Sequence, residues 1–186
     1  MSIIDHIESY VGPIQEGWKD KRSGLNIQII RCCDEIDESV DHFLSLGFSD
    51  FVLEVSPEKN ARHEFLFSVR FFDDYSLVFS FLMTICEAVI VRAKAVLRGQ
   101  YIRLPADVAA EMGFDALYCS IPMLQDHGFS GYDKVDPPVI FVWLIPIYST
   151  ELEFIEMNGW DRFEDMMVEQ QPDLFSLSRK HIIQSE

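Results

Sequence analysis

Val139-Ile-Phe-Val-Trp-Leu-Ile145 is an unbroken apolar run that meets Pro146 at its end. A run of this length, with no polar alternation, suits a strand buried on both faces. It is therefore assigned to the middle of a sheet, and Pro146, which has no N–H to give, is expected to end its ladder. Working back toward the N-terminus, residues 122–138 hold Gly128, Gly131 and Pro137-Pro138 and read as loop, while Ala116 to Ile121 and Tyr101 to Leu104 read as short strands. Working forward, Thr150 and Glu153 have the spacing of a capping box and start a helix that Gly159 closes. A second helix follows with Phe163, Met166 and Met167 inward and with Asp161, Glu164, Asp165 and Glu169 facing water. The tail beyond Pro172 carries no assignable pattern.

Ahead of this region lies the main helix, assigned to Ser76–Arg98. Ser80, Thr84, Glu87, Val91, Lys94 and Arg98 recur every three or four residues and form one stripe, with apolar residues around the rest of the girth. Arg92, Lys94 and Arg98 complement the dipole at its C-terminal end, and Gly99 fits a C-cap. Glu64 to Phe71 alternates as a strand. Leu25 to Arg31 does the same, with Leu25, Ile27 and Ile29 on one side, and reads as half-buried. His42 to Leu46, closed by Gly47, and Phe51 to Val55 are further strands. Residues 2–11 form an amphipathic helix with Ser2 as N-cap and Ile3, Ile4, Ile7 and Val11 at helical spacing, ended by Gly12-Pro13; residues 14–24 read as polar and turn-rich. The pattern gives an α+β class: a mixed, mainly antiparallel sheet with a long helix packed on one face and helices at the C-terminus. At 186 residues the chain is read as a single domain spanning 1–186.

Charge narrows the function. The chain holds 31 acidic and 15 basic residues, a formal net charge of −16, and the excess sits in the two ends: 12 acids against 5 bases in residues 1–60 and 9 against 3 in residues 151–186. Such a field repels nucleic acid and anionic lipid, so neither is expected as a partner, whereas a basic protein is the electrostatic complement. The most apolar stretch, Leu77 to Val91, carries Glu87 and runs into Arg92 and Lys94, which argues against a membrane span. No basic-then-apolar leader opens the sequence, and the cysteines Cys32, Cys33, Cys86 and Cys119 form no CxxC pair, so reduced thiols in the cytoplasm are expected.

A search for chemistry returns little. The sequence has no dinucleotide fingerprint, P-loop, HExxH helix or nucleophile elbow. His6, His42, His63, His127 and His181 are isolated, and His63-Glu64, as strand neighbours, point to opposite faces. Ser49-Asp50 after Gly47 is explained by turn chemistry. The acidic stretch Asp34, Glu35, Asp37, Glu38 and Asp41 lacks the spacing of a calcium loop. No catalytic residue, metal ligand or cofactor is assigned.

Two stretches resemble the suppressor-of-fused domain family. One is His42-Phe-Leu-Ser-Leu-Gly-Phe-Ser-Asp50 followed by Arg62-His-Glu64, with Ser45 at a threonine-like position and Phe48 in place of a methionine; the other is Val142-Trp-Leu-Ile-Pro-Ile147 followed by Glu151 or Glu153, Phe154 and Gly159. The resemblance covers most of residues 1–180. It implies an α+β fold without catalytic machinery. It also implies a binding mode in which a partner peptide adds a strand in a cleft between two lobes; this chain resembles only the first lobe, so that cleft would be incomplete. Bacterial stand-alone members look like immunity proteins, antitoxins that neutralise a cognate toxin in the cytoplasm. The expectation is thus a non-catalytic protein-binding module that occludes a cognate toxin, often a nuclease, or another basic protein. It is expected to act as a monomer or weak homodimer; the alternatives are an adaptor or regulatory binding protein without a toxin partner and, after it, an enzyme of unrecognised type. From charge and position, the expected contacts are Asp34, Glu35, Asp37, Glu38 and Asp41 in the acidic loop and Asp161, Glu164 and Asp165 in the last helix.

Overall fold

The computed structural model describes residues 1–21, 23–34, 37–70, 74–123 and 128–183. Glu35, His127 and Phe71 lie outside the described residues. The elements follow the order α1 (Ile3–Val11), β1 (Ile14–Trp18), β2 (Gln28–Cys33), β3 (Val40–Leu46), a 3-10 turn (Phe48–Asp50), β4 (Leu53–Ser56), β5 (Lys59–Arg70), α2 (Tyr75–Arg92), β6 (Tyr101–Arg103), α3 (Ala106–Met112), β7 (Ala116–Ser120), β8 (Gly131–Tyr132), β9 (Val139–Ile147), α4 (Ser149–Asn158) and α5 (Trp160–Gln170).

One sheet runs β1-β2-β3-β5-β9-β7-β6, with β4 added to β5 and β8 added to β9. Among the named strands of the described residues, β5 and β9 pair in parallel, Arg62 opposite Val139 through Leu66 opposite Trp143, and the other ladders are antiparallel. The apolar run sits in β9, as its composition requires. Val142 and Leu144 join the core under α2, and Phe141, Trp143, Ile145 and Ile147 join the core on the other face. That second core is covered by α1, α4 and α5 through Ile7, Leu152, Ile155, Phe163 and Met167.

α1 begins as its sequence predicts: the Asp5 N–H donates to Ser2 Oγ at 3.1 Å, and the Ser2 N–H donates to Asp5 Oδ2 at 2.7 Å. α2 by composition alone is long and apolar enough to cross a membrane, but here Val78, Phe81, Leu82, Met83, Ile85, Cys86 and Val89 are buried on the sheet. Ser80, Thr84 and Val91 form the outward stripe.

Several expectations are corrected. α2 stops at Arg92, because Ala93 takes a left-handed conformation (φ 51°). The chain then runs beside β4: the Glu54 N–H donates to Ala93 O, the Ala95 N–H donates to Glu54 O, and Lys94 pairs with Glu54 at 2.5 Å. Gly99 caps no helix; it approaches the Trp160 ring so closely that a Cβ would sit 2.5 Å from it. Pro146 lies inside β9, opposite Leu117. It falls past the last β5 pair, where β9 has a neighbour on one side only and one missing N–H is tolerated. β2 is buried on both faces, with Ile29 in one core and Ile30 and Cys32 in the other. The cap of α4 is Tyr148, whose N–H donates to Glu151 Oε2 at 3.1 Å, rather than Thr150 with Glu153. β1, β8 and α3 occupy stretches that carry no strand or helix reading in the sequence.

The tail also finds a place. Beyond α5 it crosses the sheet as a strap: the Arg70 N–H donates to Phe175 O at 2.9 Å, and Tyr148 Oη donates to Leu177 O at 2.7 Å. Arg179 enters a fully buried ion pair with Glu151 at 2.6 Å, and the Ile182 N–H donates to the same carboxylate at 2.7 Å.

Candidate functional site

Two buried carboxylates organise the family-like stretches. Glu64 is 0% exposed. It accepts from the Gly47 N–H (3.0 Å), the Ser49 N–H (3.0 Å) and Ser49 Oγ (2.7 Å), and from the Ser45 hydroxyl. Ser45 Oγ accepts in turn from the Phe65 N–H at 2.8 Å. Burial pushes the Glu64 carboxyl up to about 7, against the lowering pull of the Ser45 and Ser49 hydroxyls and of the turn amides. Gly47 makes the turn with φ 96°, where a Cβ would meet Asn26 O at 2.4 Å. Ser49 and Asp50 therefore belong to turn architecture, tied down by Glu64. His63, its neighbour, turns away to Ile140 O at 3.3 Å, and the two do not form a dyad. Of the two C-terminal candidates Glu151 and Glu153, Glu151 is the buried one.

The acids singled out by charge are mostly engaged within the molecule. His42 Nε2 lies 3.1 Å from Asp34 Oδ2, and His42 Nδ1 lies 2.7 Å from Ser68 Oγ. Asp37 accepts from Ser39 and from Arg70 Nη1 (2.6 Å), which hold its carboxyl down to about 2. Asp41 accepts from Arg31 Nη1 (2.8 Å) and Tyr75 Oη (2.7 Å) and lies in β3 rather than in a loop. Glu164 accepts from Arg98 and from Tyr118 Oη (2.8 Å), so it is half-buried rather than facing water. Glu38, Asp161 and Asp165 are exposed. The structure thus brings the loop acids against their own cations and leaves the α5 pair, Asp161 and Asp165, on the surface.

Asp34, His42 and Ser68 stand in the order of acid, base and nucleophile, an alignment no sequence spacing announces. Ser68 is 2% exposed, burial lowers the His42 pKa, and the Phe175 ring lies edge-on to the imidazole. A substrate carbonyl cannot reach that hydroxyl with the strap in place, so the arrangement is a satisfied buried polar chain. Burial pushes the Cys32 and Cys119 thiols up to about 12 and raises Cys86 well above the ordinary thiol range, which disfavours the thiolate at all three. No group of three metal-ligating side chains occurs among the described residues.

What the surface does offer is a sheet edge. At one end of the sheet β1 is blunted by a bulge between Ile14 and Glu16 and by the Glu16–Arg31 ion pair. At the other end lies β6. Its ladder to β7 uses Gln100 and Leu104, since the Cys119 N–H donates to Gln100 O and the Leu104 N–H donates to Asp115 O. By antiparallel alternation the peptide groups of Tyr101 and Arg103 point outward. Beside this edge runs a groove of about 610 Å³ lined by Val55, Val96, Leu97 and Ile102 together with the charged Glu54, Arg92 and Lys94. Leu97 and Trp160 are exposed at 40% each, and the Trp160 ring rests on Gly99 of the groove wall. The sequence marks Tyr101–Leu104 as a strand but carries no sign that, among the described residues, its far side pairs with no strand.

The family model described as suppressor of fused protein (SUFU) matches residues 24–180. A SUFU homologue from Neisseria gonorrhoeae superposes with a TM-score of 0.76 at 16% identity, covering 99% of this chain and 96% of that one. A chain of the Sufu–Fu complex superposes with a TM-score of 0.69 at 14% identity, covering 97% of this chain and 90% of that one. No curated protein sequence matches significantly.

Proposed function

Because the chain belongs to the suppressor of fused family, we propose that it is a non-catalytic protein-binding module of the cytoplasm that captures a basic partner, a cognate toxin, and neutralises it by occlusion. The observation that carries the binding reading is the open β6 edge with its groove. An extended partner segment there gains main-chain hydrogen bonds from Tyr101 and Arg103, while the groove takes alternate side chains. A relative of the same fold is known in a complex, Sufu–Fu, which supports a protein as the ligand. The net charge of −16 supports a basic partner and rapid encounter. The buried thiols and the covered Ser68 support the absence of catalysis.

The test is co-expression with the product of the neighbouring gene, followed by pull-down and a growth assay. Rescue of growth together with a stoichiometric complex is the expected result. A complex without any growth effect would leave an adaptor in place of an antitoxin, and absence of any complex would refute the binding reading. Arg103→Pro removes an outward N–H without touching the β7 ladder. It should abolish the complex while leaving the circular dichroism spectrum unchanged.

A further inference from the structure

A second groove, of about 580 Å³, opens where the start of α1, the 47–50 turn and the chain entering β9 meet. Its apolar wall is Ile3, Tyr132, Val135 and Val139. Val135 is 43% exposed, and Met1 and Ile4, next in sequence to the lining residues Ser2 and Ile3, are 67% and 42% exposed. Tyr132 Oη donates to Met1 O at 3.0 Å, which fixes the N-terminal side of the groove to the other. Two carboxylates line it, Asp50 and Asp136, and neither makes a side-chain hydrogen bond or ion pair among the described residues. The basic residue of the lining, Arg62, is turned into the wall: its Nη1 donates to Ser49 O at 2.7 Å and Asp50 O at 3.1 Å.

This inverts the reading from sequence charge. Asp37, Asp41 and Glu164 belong to denser acidic stretches but are neutralised by Arg70, Arg31 and Arg98, and Asp34 is hydrogen-bonded to His42. Asp50 and Asp136 lie far apart in sequence, yet the fold sets them beside one apolar groove with no side-chain hydrogen bond or ion pair among the described residues. We propose that this groove is a docking site for a segment of the protein partner that carries an apolar side chain next to lysine or arginine. The apolar residue fills the space between Ile3 and Val139, and the cation meets Asp50 and Asp136. This rests on the binding reading above and adds a contact surface distinct from the β6 edge. The Glu64 hydrogen bonds that hold the turn amides keep Asp50 in place in the absence of a partner, so the site is preformed.

The test uses the full chain, 15N-labelled, and an acetylated, amidated peptide of alternating leucine and lysine, with a leucine–glutamate peptide of the same length and lysinamide as controls. The leucine–lysine peptide should shift the amide resonances of Ser49, Asp50, Tyr132, Val135 and Val139, and neither control should do so. Asp50→Asn with Asp136→Asn should weaken binding about tenfold. Asp107→Asn with Glu111→Gln, an equal change of charge on the exposed face of α3, should leave it unchanged. Equal weakening by both pairs, or no shifts at the groove, overturns the proposal. Shifts confined to Tyr101 and Arg103 overturn it while leaving the binding reading intact. A toxin or other partner that fails to bind a chain whose groove does take the peptide refutes the binding reading instead.

Discussion

Glu64→Gln should abolish a specific pH dependence of stability. The folded carboxyl titrates near 7 and the ordinary value is 4.5, so the protonated form is favoured in the folded chain. Its favourable contribution is complete below about 4.5. It declines as pH rises through 7 and is then flat, a total of about 3 kcal/mol from the difference in pKa. His42 and His63, buried and lowered below 6.5, act in the opposite direction, since unfolding lets them bind protons as pH falls. They are common to wild type and variant and cancel in the difference. Urea unfolding at pH 4.5, 5.5, 6.5, 7.5 and 8.5, expressed as wild type minus Glu64→Gln, should therefore fall by about 3 kcal/mol across the series. A difference that stays constant would refute the reasoning. It would mean that the Ser45 and Ser49 hydroxyls and the amides of Gly47 and Ser49 hold the carboxylate ionised despite its burial.

Other outcomes test the frame around the grooves. Arg179→Ala leaves Glu151 charged and buried, and should cost about 3–5 kcal/mol in chemical unfolding, with the Ile182 amide losing its protection from hydrogen exchange. Gly99→Ala drives a methyl into the Trp160 ring at a φ of +87° and should cost about 1–3 kcal/mol by thermal unfolding. Asp41→Lys breaks the contacts to Arg31 and Tyr75 and should lower the unfolding midpoint before it alters capture. Glu38→Lys, on an exposed side chain, should leave the midpoint unchanged and reports cleanly on whether the acidic loop touches a partner.

How much was legible in the sequence depends on how local the deciding interaction is. The apolar run of β9 announces itself because both faces of a central strand must be buried. The stripe of α2 and the Ser2–Asp5 cap of α1 are visible because helix partners lie within a few residues of one another. The end of α2 is not visible. No glycine or proline marks it; Ala93 leaves the helix because the next residues pair with Glu54, some forty positions earlier. β1 escapes for a related reason: its Gln15, Glu16 and Gly17 face solvent, and only its two ends pack inward, Ile14 on the second core and Trp18 against Phe43 and Tyr75. Charge misled more than hydropathy. A cluster of acids in sequence reads as a negative surface, but strand pairing brings Arg31 and Arg70, and the packing of α5 brings Arg98, to those acids from distant segments. The groove carboxylates Asp50 and Asp136, without a side-chain partner among the described residues, have no sequence signature. Arg179 lies in a tail without periodicity, and its role follows only from the buried Glu151 it meets.

The strap sets a constraint on how the protein can be made. The ribosome releases β1 to β5 long before β9, so the middle of the sheet is vacant while most of the polypeptide already exists. Glu151 then stays without its counter-ion until residue 179 has cleared the exit tunnel. A nascent chain in that interval exposes the unpaired flank of β5 and a charge awaiting burial, a state that invites chaperone holding or proteolysis. Closure of the sheet by β9 therefore comes before the Arg179–Glu151 pair can form, and the strap locks only afterwards.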